Sequence, residues 1–334
     1  MTVMIRKEEK MQKKISSLLL ILALLLLAAC GGAPEVSPSP TEPAEAVESG
    51  FTPLTFTDAL GREVTLTEKP KKAAALIGSF ASVWTLAGGE LCAAADDAFD
   101  DFGLTLGEDV VNLGKTKEIQ TELLFSAEPD LILASVNTPI DVELRDTFEK
   151  AGIPTLYFDV NDFASYLDML RVCTAITGRD DLYEKNGQMV SEQIDAAVEK
   201  AKAALNGEEG PTVLYLRATA SSVKAKSSRG TVLGEMLQDL GCVNIADGSA
   251  LLESLSIEEI ILRDPEYIFI VEQGNDTQAV EDNLRKLLLD NPAWSSLSAM
   301  QNEKVYYLDG SLYNLKPNDR WGIAYEQLEE LLYE

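Results

Sequence analysis

Apolar residues run from Ile15 to Ala29, broken only by Ser16 and Ser17, and the run ends in Leu27-Ala28-Ala29-Cys30. Lys13 and Lys14 stand just before it. So short and abruptly ended a run suits the apolar core of an export signal better than a membrane span. Residues 31–50 are mainly Gly, Pro, Ser, Ala and Glu. With almost no large apolar side chains they cannot offset the entropy of ordering, which predicts a flexible tether. From Phe51 the pattern changes. Short apolar runs alternate with stretches of helical spacing, which predicts an α/β fold built on parallel sheets.

The same pattern occurs twice. Ala73–Ile77 is a strand-length apolar run followed by a helix to Leu86, a Gly88-Gly89 stop and Cys92. Val213–Arg217 is its counterpart, followed by a helix through Leu233, Met236 and Leu237 and by Gly241-Cys242. Glu122 then leads through Pro129 into the strand Asp130–Leu133, and Glu258 leads through Pro265 into Tyr267–Ile270. Glutamate precedes proline by seven residues in both. A third pair is Pro154–Asp159 against Lys304–Asp309. Between the halves, Asn161-Asp162 supplies a helix cap, and Phe163, Leu167, Leu170, Cys173 and Ile176 fall at helical spacing up to Gly178. A second helix is expected from about Asp180 to Leu205.

Charge narrows the chemistry. The formal net charge is −27, and with residues 1–30 set aside 23 basic groups face 53 acidic ones. Such a surface repels phosphate backbones and excludes nucleic-acid binding. There is no histidine. That removes the commonest general base, zinc ligand and haem ligand together. Gly-x-Ser-x-Gly and Gly-x-x-x-x-Gly-Lys motifs are also missing, so an exported α/β enzyme has no positive support. A receptor for bare zinc or manganese is disfavoured for want of imidazole. Asp96-Asp97 and Asp100-Asp101 lack the spacing of a calcium loop and read as a solvated loop. Cys92, Cys173 and Cys242 are expected as buried free thiols.

Against this background one loop stands out. Arg217 to Gly230 holds Arg217, Lys224, Lys226 and Arg229 and no acid. Ligands of open α/β sheets sit at the carboxyl ends of the strands, so this loop should face a ligand with carboxylate, catecholate or phosphate groups. Ser79 and Phe80 hold the equivalent place in the first half. Near the C-terminus Tyr313, Lys316, Arg320 and Trp321 combine flat apolar surface with charge, and Tyr313 and Arg320 are further ligand candidates. Trp321 fits equally as core of a closing helix.

Leu27-Ala28-Ala29-Cys30 resembles the lipobox of bacterial lipoproteins, which implies that Cys30 is lipidated and begins the mature chain. Phe56–Arg62, Glu122–Leu131 and Lys316–Trp321 together resemble the substrate-binding proteins of iron-siderophore, haem and cobalamin ABC importers, over essentially all of residues 51–334. The resemblance implies two Rossmann-like lobes bridged by one long helix, with ligand in the interlobe cleft and no catalysis. It places a signal peptide at 1–29, a lipid-anchored linker at 30–50, lobes at 51–160 and 179–334, and the bridge at 161–178. It further implies a monomer anchored outside the cytoplasm, and no resident cofactor. Glu122 and Glu258 are then the residues that dock on the permease dimer, which acts with its ATPase subunits. The expected cargo is a ferric siderophore, with cobalamin and haem as alternatives.

Overall fold

The computed structural model describes residues 51–274 and 276–334. The signal read at 1–29, Cys30 and the tether to residue 50 lie outside them. Among the described residues no helix is long and apolar enough to cross a membrane.

The chain enters through a hairpin, β1 (Leu54–Thr57) and β2 (Glu63–Leu66). Its turn is built by the Asp58 carboxylate, which accepts the backbone N–H groups of Leu60 and Arg62 at 3.0 Å each and pairs with the Arg62 guanidinium at 2.6 Å. Arg62 also donates to the Thr155 carbonyl at 2.9 Å. The Phe56–Arg62 motif is therefore a staple that fixes the hairpin to the first sheet.

That sheet has the order β5-β4-β3-β6-β7, all parallel, with β3 at Ala73–Ala75, β4 at Leu91–Ala94, β5 at Val111–Asn112, β6 at Leu131–Ser135 and β7 at Thr155–Phe158. The second sheet runs β10-β8-β11-β12, with β8 at Thr212–Ala218, β10 at Val243–Asn244, β11 at Tyr267–Glu272 and β12 at Val305–Leu308. These four are parallel, and β9 (Val223–Ala225) pairs antiparallel with β8. The order β4-β3-β6-β7 reappears as β10-β8-β11-β12, so the sequence echo is a repeat of topology. β3 and β6 are buried throughout, which is why they read as unbroken apolar runs.

The matched segments agree in detail. Helix α2 (Thr121–Ser126) follows α1 (Gly78–Leu86) in the first half, and α6 (Ile257–Arg263) follows α5 (Val232–Asp239) in the second. After α2 and α6 come Glu128 and Asp264, both with left-handed backbone (φ 52° and 40°), and each is followed by a proline that cannot continue a helix.

Helix α3 spans Phe163–Thr177 with the expected ends: Asp162 and Ser165 form a reciprocal cap, and Gly178 closes in the left-handed region at φ 71°. It packs on α1. The next helical stretch, 180–205, contains one wide turn at Glu184–Gln188 before α4 (Met189–Leu205). At that turn Tyr166 donates its hydroxyl to the Asn186 carbonyl at 2.7 Å, and Asn186 donates its amide to the Leu86 carbonyl at 2.8 Å. α4 then lies along the closing helix α7 (Trp321–Tyr333). The largest apolar core draws on both halves, from Ala75 and Trp84 to Tyr215 and Phe269. Cys173 and Cys242 are buried in it and Cys92 is half-buried, all as free thiols.

Candidate functional site

The basic stretch after β8 is mostly ordered as a hairpin. β9 returns along β8 with Arg217 opposite Lys224 and Leu216 opposite Ala225, and the Lys226 N–H donates to the Tyr215 carbonyl at 2.9 Å. Thr219 caps the turn by hydrogen bonds to Ser222. This geometry sorts the four cations. Arg217 and Lys226 are half-buried and turn to a shared cavity, while Lys224 is exposed and lines none of the cavities described here.

The cavity holds about 150 Å³ and lies between the halves. Val160 and Asn161, just beyond β7, form its first-half wall. Arg217 and Lys226 face them together with the start of α5, and Asn314 and Lys316 close it from the C-terminal segment. Among the described residues none of these three cations pairs with a carboxylate within 4.0 Å. Burial pushes the Lys226 ammonium down, and the neighbouring charges of Arg217 and Lys224 push it further. Burial also lowers Lys316, against the pull of Asp159 and Asp97 from the first half. Half-buried cations that no carboxylate contacts directly carry a desolvation cost, and an anion entering here offsets it.

Ser79 and Phe80 begin α1. The Gly78 N–H ahead of them donates to the Asp97 carboxylate at 2.8 Å. A methyl group on Gly78 would stand 2.5 Å from the Ala98 nitrogen, so only glycine permits this approach. Ser79 is buried, its hydroxyl has no partner, and its carbonyl accepts the Asn318 amide at 3.1 Å. Phe80 is fully buried, edge-on to Phe158 with ring centroids 5.9 Å apart, and serves the core. Burial raises Asp97 to about 6 despite the Gly78 N–H.

The other candidates fall elsewhere. Tyr313 is buried, with its hydroxyl 3.2 Å from the Ala324 carbonyl and 3.2 Å from the Gln327 side chain, so it braces the closing helix. Trp321 is likewise fully buried. Arg320 lines a neighbouring cavity of about 370 Å³ with Asp100, Asp101 and Asp319. Arg229 is exposed on a third, open depression of about 500 Å³ beside Asp247. Lys316 and Asn318, which sequence reasoning did not assign, emerge as the C-terminal contribution. The only sequence signal for them was the Lys-Pro-Asn-Asp-Arg-Trp run itself.

Glu122 and Glu258 are exposed and occupy the second position of α2 and α6, and each sits two residues before a buried anchor, Leu124 or Ile260. Glu258 is held below the usual carboxylate range by its own backbone N–H and by the Ser256 hydroxyl, which donates at 3.0 Å. Glu259 is instead tied to Arg263 at 2.6 Å. Of that pair, Glu258 is the one free of cations.

Two sheets of one topology, parallel apart from β9, thus flank a polar cavity at the carboxyl ends of their strands, the place where ligands of open α/β sheets sit. The chain belongs to the periplasmic binding protein family, whose model matches residues 74–312. It is 27% identical over 213 residues to the petrobactin-binding protein YclQ of Bacillus subtilis, covering 61% of this chain and 62% of YclQ. The chain thus spans about three fifths of that relative's length. It is 25% identical over 304 residues to the uncharacterised ABC transporter substrate-binding lipoprotein YvrC of the same organism, covering 84% of this chain and 86% of YvrC. Among solved structures, Staphylococcus aureus SirA complexed with staphyloferrin B shares the fold at a TM-score of 0.64 and 20% identity, over 84% of this chain and 97% of SirA.

Proposed function

We propose that this chain is an extracytoplasmic, lipid-anchored receptor that captures an anionic ferric complex and delivers it to an ABC permease and its ATPase subunits. The observation that carries the reading is the convergence of Arg217, Lys226 and Lys316, none of them within 4.0 Å of a carboxylate among the described residues, on one cavity of a chain whose formal charge is −27. An excess of acid elsewhere makes this patch a local reversal of field, which selects for anionic ligand groups. At about 150 Å³ the cavity is smaller than the 300 Å³ or more of ordinary ligand pockets. It suits one anionic arm of a ferric complex, with the remainder of the complex lying outside it. The helix at 163–177, within the expected bridge at 161–178, is then the connection about which the two halves open and shut. The names of relatives, petrobactin-binding and Fe(3+)-citrate-binding, support a ferric cargo. Glu122 and Glu258 serve as the docking carboxylates, and Cys30 as the lipid attachment.

Titration of fluorescence with ferric citrate and with cobalamin tests the reading. A hydrogen bond to a charged group is worth about 1.5–3 kcal/mol, roughly one to two decades in affinity. Arg217→Gln and Lys226→Gln should each weaken ferric citrate by about that much and leave cobalamin unaffected. Binding of cobalamin with no binding of ferric citrate would replace the reading.

A further inference from the structure

The segment from Gly310 to Arg320 crosses from the second half to the first. Lys316 lines the cationic cavity, and Ser311, Pro317, Asp319 and Arg320 line the larger cavity beside it. Between these positions Asn318 is 1% exposed, and its amide donates to the Ser79 carbonyl at 3.1 Å. Among the described residues this is the one hydrogen bond that joins residues 51–160 directly to residues 206–334.

The contact is costly as it stands. Asn318 has left-handed backbone at φ 55°, a region that asparagine tolerates better than other side chains but does not favour. Its side-chain oxygen Oδ1 and the Ser79 hydroxyl are both buried without a partner. Each unsatisfied buried group is destabilising. Local strain and orphaned polar atoms concentrated at one contact point to a working part of the molecule.

We infer that Asn318 is a positioning residue that couples the shutting of the two halves to assembly of the anion site, by setting Lys316 into the cavity when it docks on Ser79. This rests on the anion-capture reading. Lys316 lies two residues before Asn318, with Pro317 between them to limit the play of the backbone. Docking Asn318 on the first half therefore fixes where the Lys316 ammonium can reach, facing Asp97 and Asp159 across the gap. In the parted form Arg217 and Lys226 stay on the second sheet while Lys316 is free to withdraw. An anion that binds all three cations favours the shut form by the difference.

A double-mutant cycle on the full chain, read by ferric citrate affinity, is the test. Asn318→Gly keeps the left-handed backbone and deletes the amide, and should cost about tenfold. Lys316→Gln should cost a similar factor. If Asn318 acts through Lys316, adding Asn318→Gly to Lys316→Gln should cost less than a further twofold. Small-angle scattering should show compaction by ferric citrate in the unmodified chain and less in Asn318→Gly. Ser79→Ala, which retains the accepting carbonyl, should preserve the compaction. Multiplying losses, or wild-type affinity and compaction in Asn318→Gly, would overturn the coupling while Arg217→Gln still weakens binding. Full affinity in both Arg217→Gln and Lys316→Gln would overturn the anion-capture reading instead, and an unmodified chain that binds no ferric citrate would overturn both. If Asn318→Gly fails to fold, Asn318→Asp carries the same cycle, since it replaces the donor by an acceptor in the same shape.

Discussion

At Asp141 the side chain is fully buried beside the end of β6, with one carboxylate oxygen accepting the Ser135 N–H at 2.9 Å and the other without a partner. Burial raises this carboxyl to about 7, and the nearby Asp97 charge adds to the rise. A carboxyl raised above its unfolded value stabilises the fold fully below the unfolded value. That contribution is lost as pH climbs through the folded value. Stability should therefore decline between about pH 4 and pH 7 on account of Asp141, with Asp97 adding to the decline up to about pH 6. Asp141→Asn should raise stability at pH 8 by about 2 kcal/mol and give no gain at pH 4, as read by urea unfolding at both values. A residue-scale contrast also separates the cations. Arg229 was grouped with Arg217 by sequence proximity, yet it faces another depression. Arg229→Gln should change ferric citrate affinity less than twofold, where Arg217→Gln costs about tenfold or more.

The elements owe their shape to where polar backbone groups find partners. The wide turn at Glu184–Gln188 sits where the stretch crosses α3 and α1, and Asn186 there covers the Leu86 carbonyl at the end of α1. Gly187 allows the crossing, since a methyl group there would lie 3.0 Å from Leu167 and 3.2 Å from Leu170. Asn186→Ala strips a partner from a part-buried carbonyl and should cost about 1 kcal/mol in chemical denaturation. Gly78→Ala should be worse for binding than for stability. Its methyl would push on the backbone of Asp97 and Ala98, and the start of α1 that carries Ser79 would shift. Ferric citrate titration beside a melting curve separates the two effects.

On the scale of the whole molecule, Glu122 and Glu258 stand at matched sites of the two halves, on helices that present them to solvent. On the proposed reading, paired carboxylates on separate halves would steer and orient a cationic partner without touching the cargo. Reversing both to arginine should abolish cargo-stimulated ATPase activity of the reconstituted importer and leave ferric citrate affinity within about twofold. Affinity that collapses together with coupling would remove the docking assignment. Cys30→Ala should release the protein from the membrane fraction, a shift visible on a blot of fractionated cells.

The repeat, the α/β class and the strands β3, β6, β7, β8, β11 and β12 were legible because buried parallel strands leave continuous apolar runs, as at Leu131–Ser135 and Tyr267–Glu272. The α3 cap and its Gly178 stop were legible for the same local reason: the signal lies in adjacent residues. The entry hairpin β1–β2, the strand β4, the short pairings β5 and β10 and the return strand β9 were not foreseen, since two to four residues carry little period and their pairing is chosen by the neighbouring strand. Charge marked out the cationic stretch that holds Arg217 and Lys226. Their convergence with Lys316, about 90 residues later, and the capture of Tyr313 and Phe80 by the core depend on how two sheets pack. The contact of Asn318 with Ser79 joins positions 239 apart. By itself the sequence determined what each segment could become, because backbone and burial preferences are local. Only the tertiary structure decided which cations share one cavity and what closes it, because no local preference specifies a meeting across that distance.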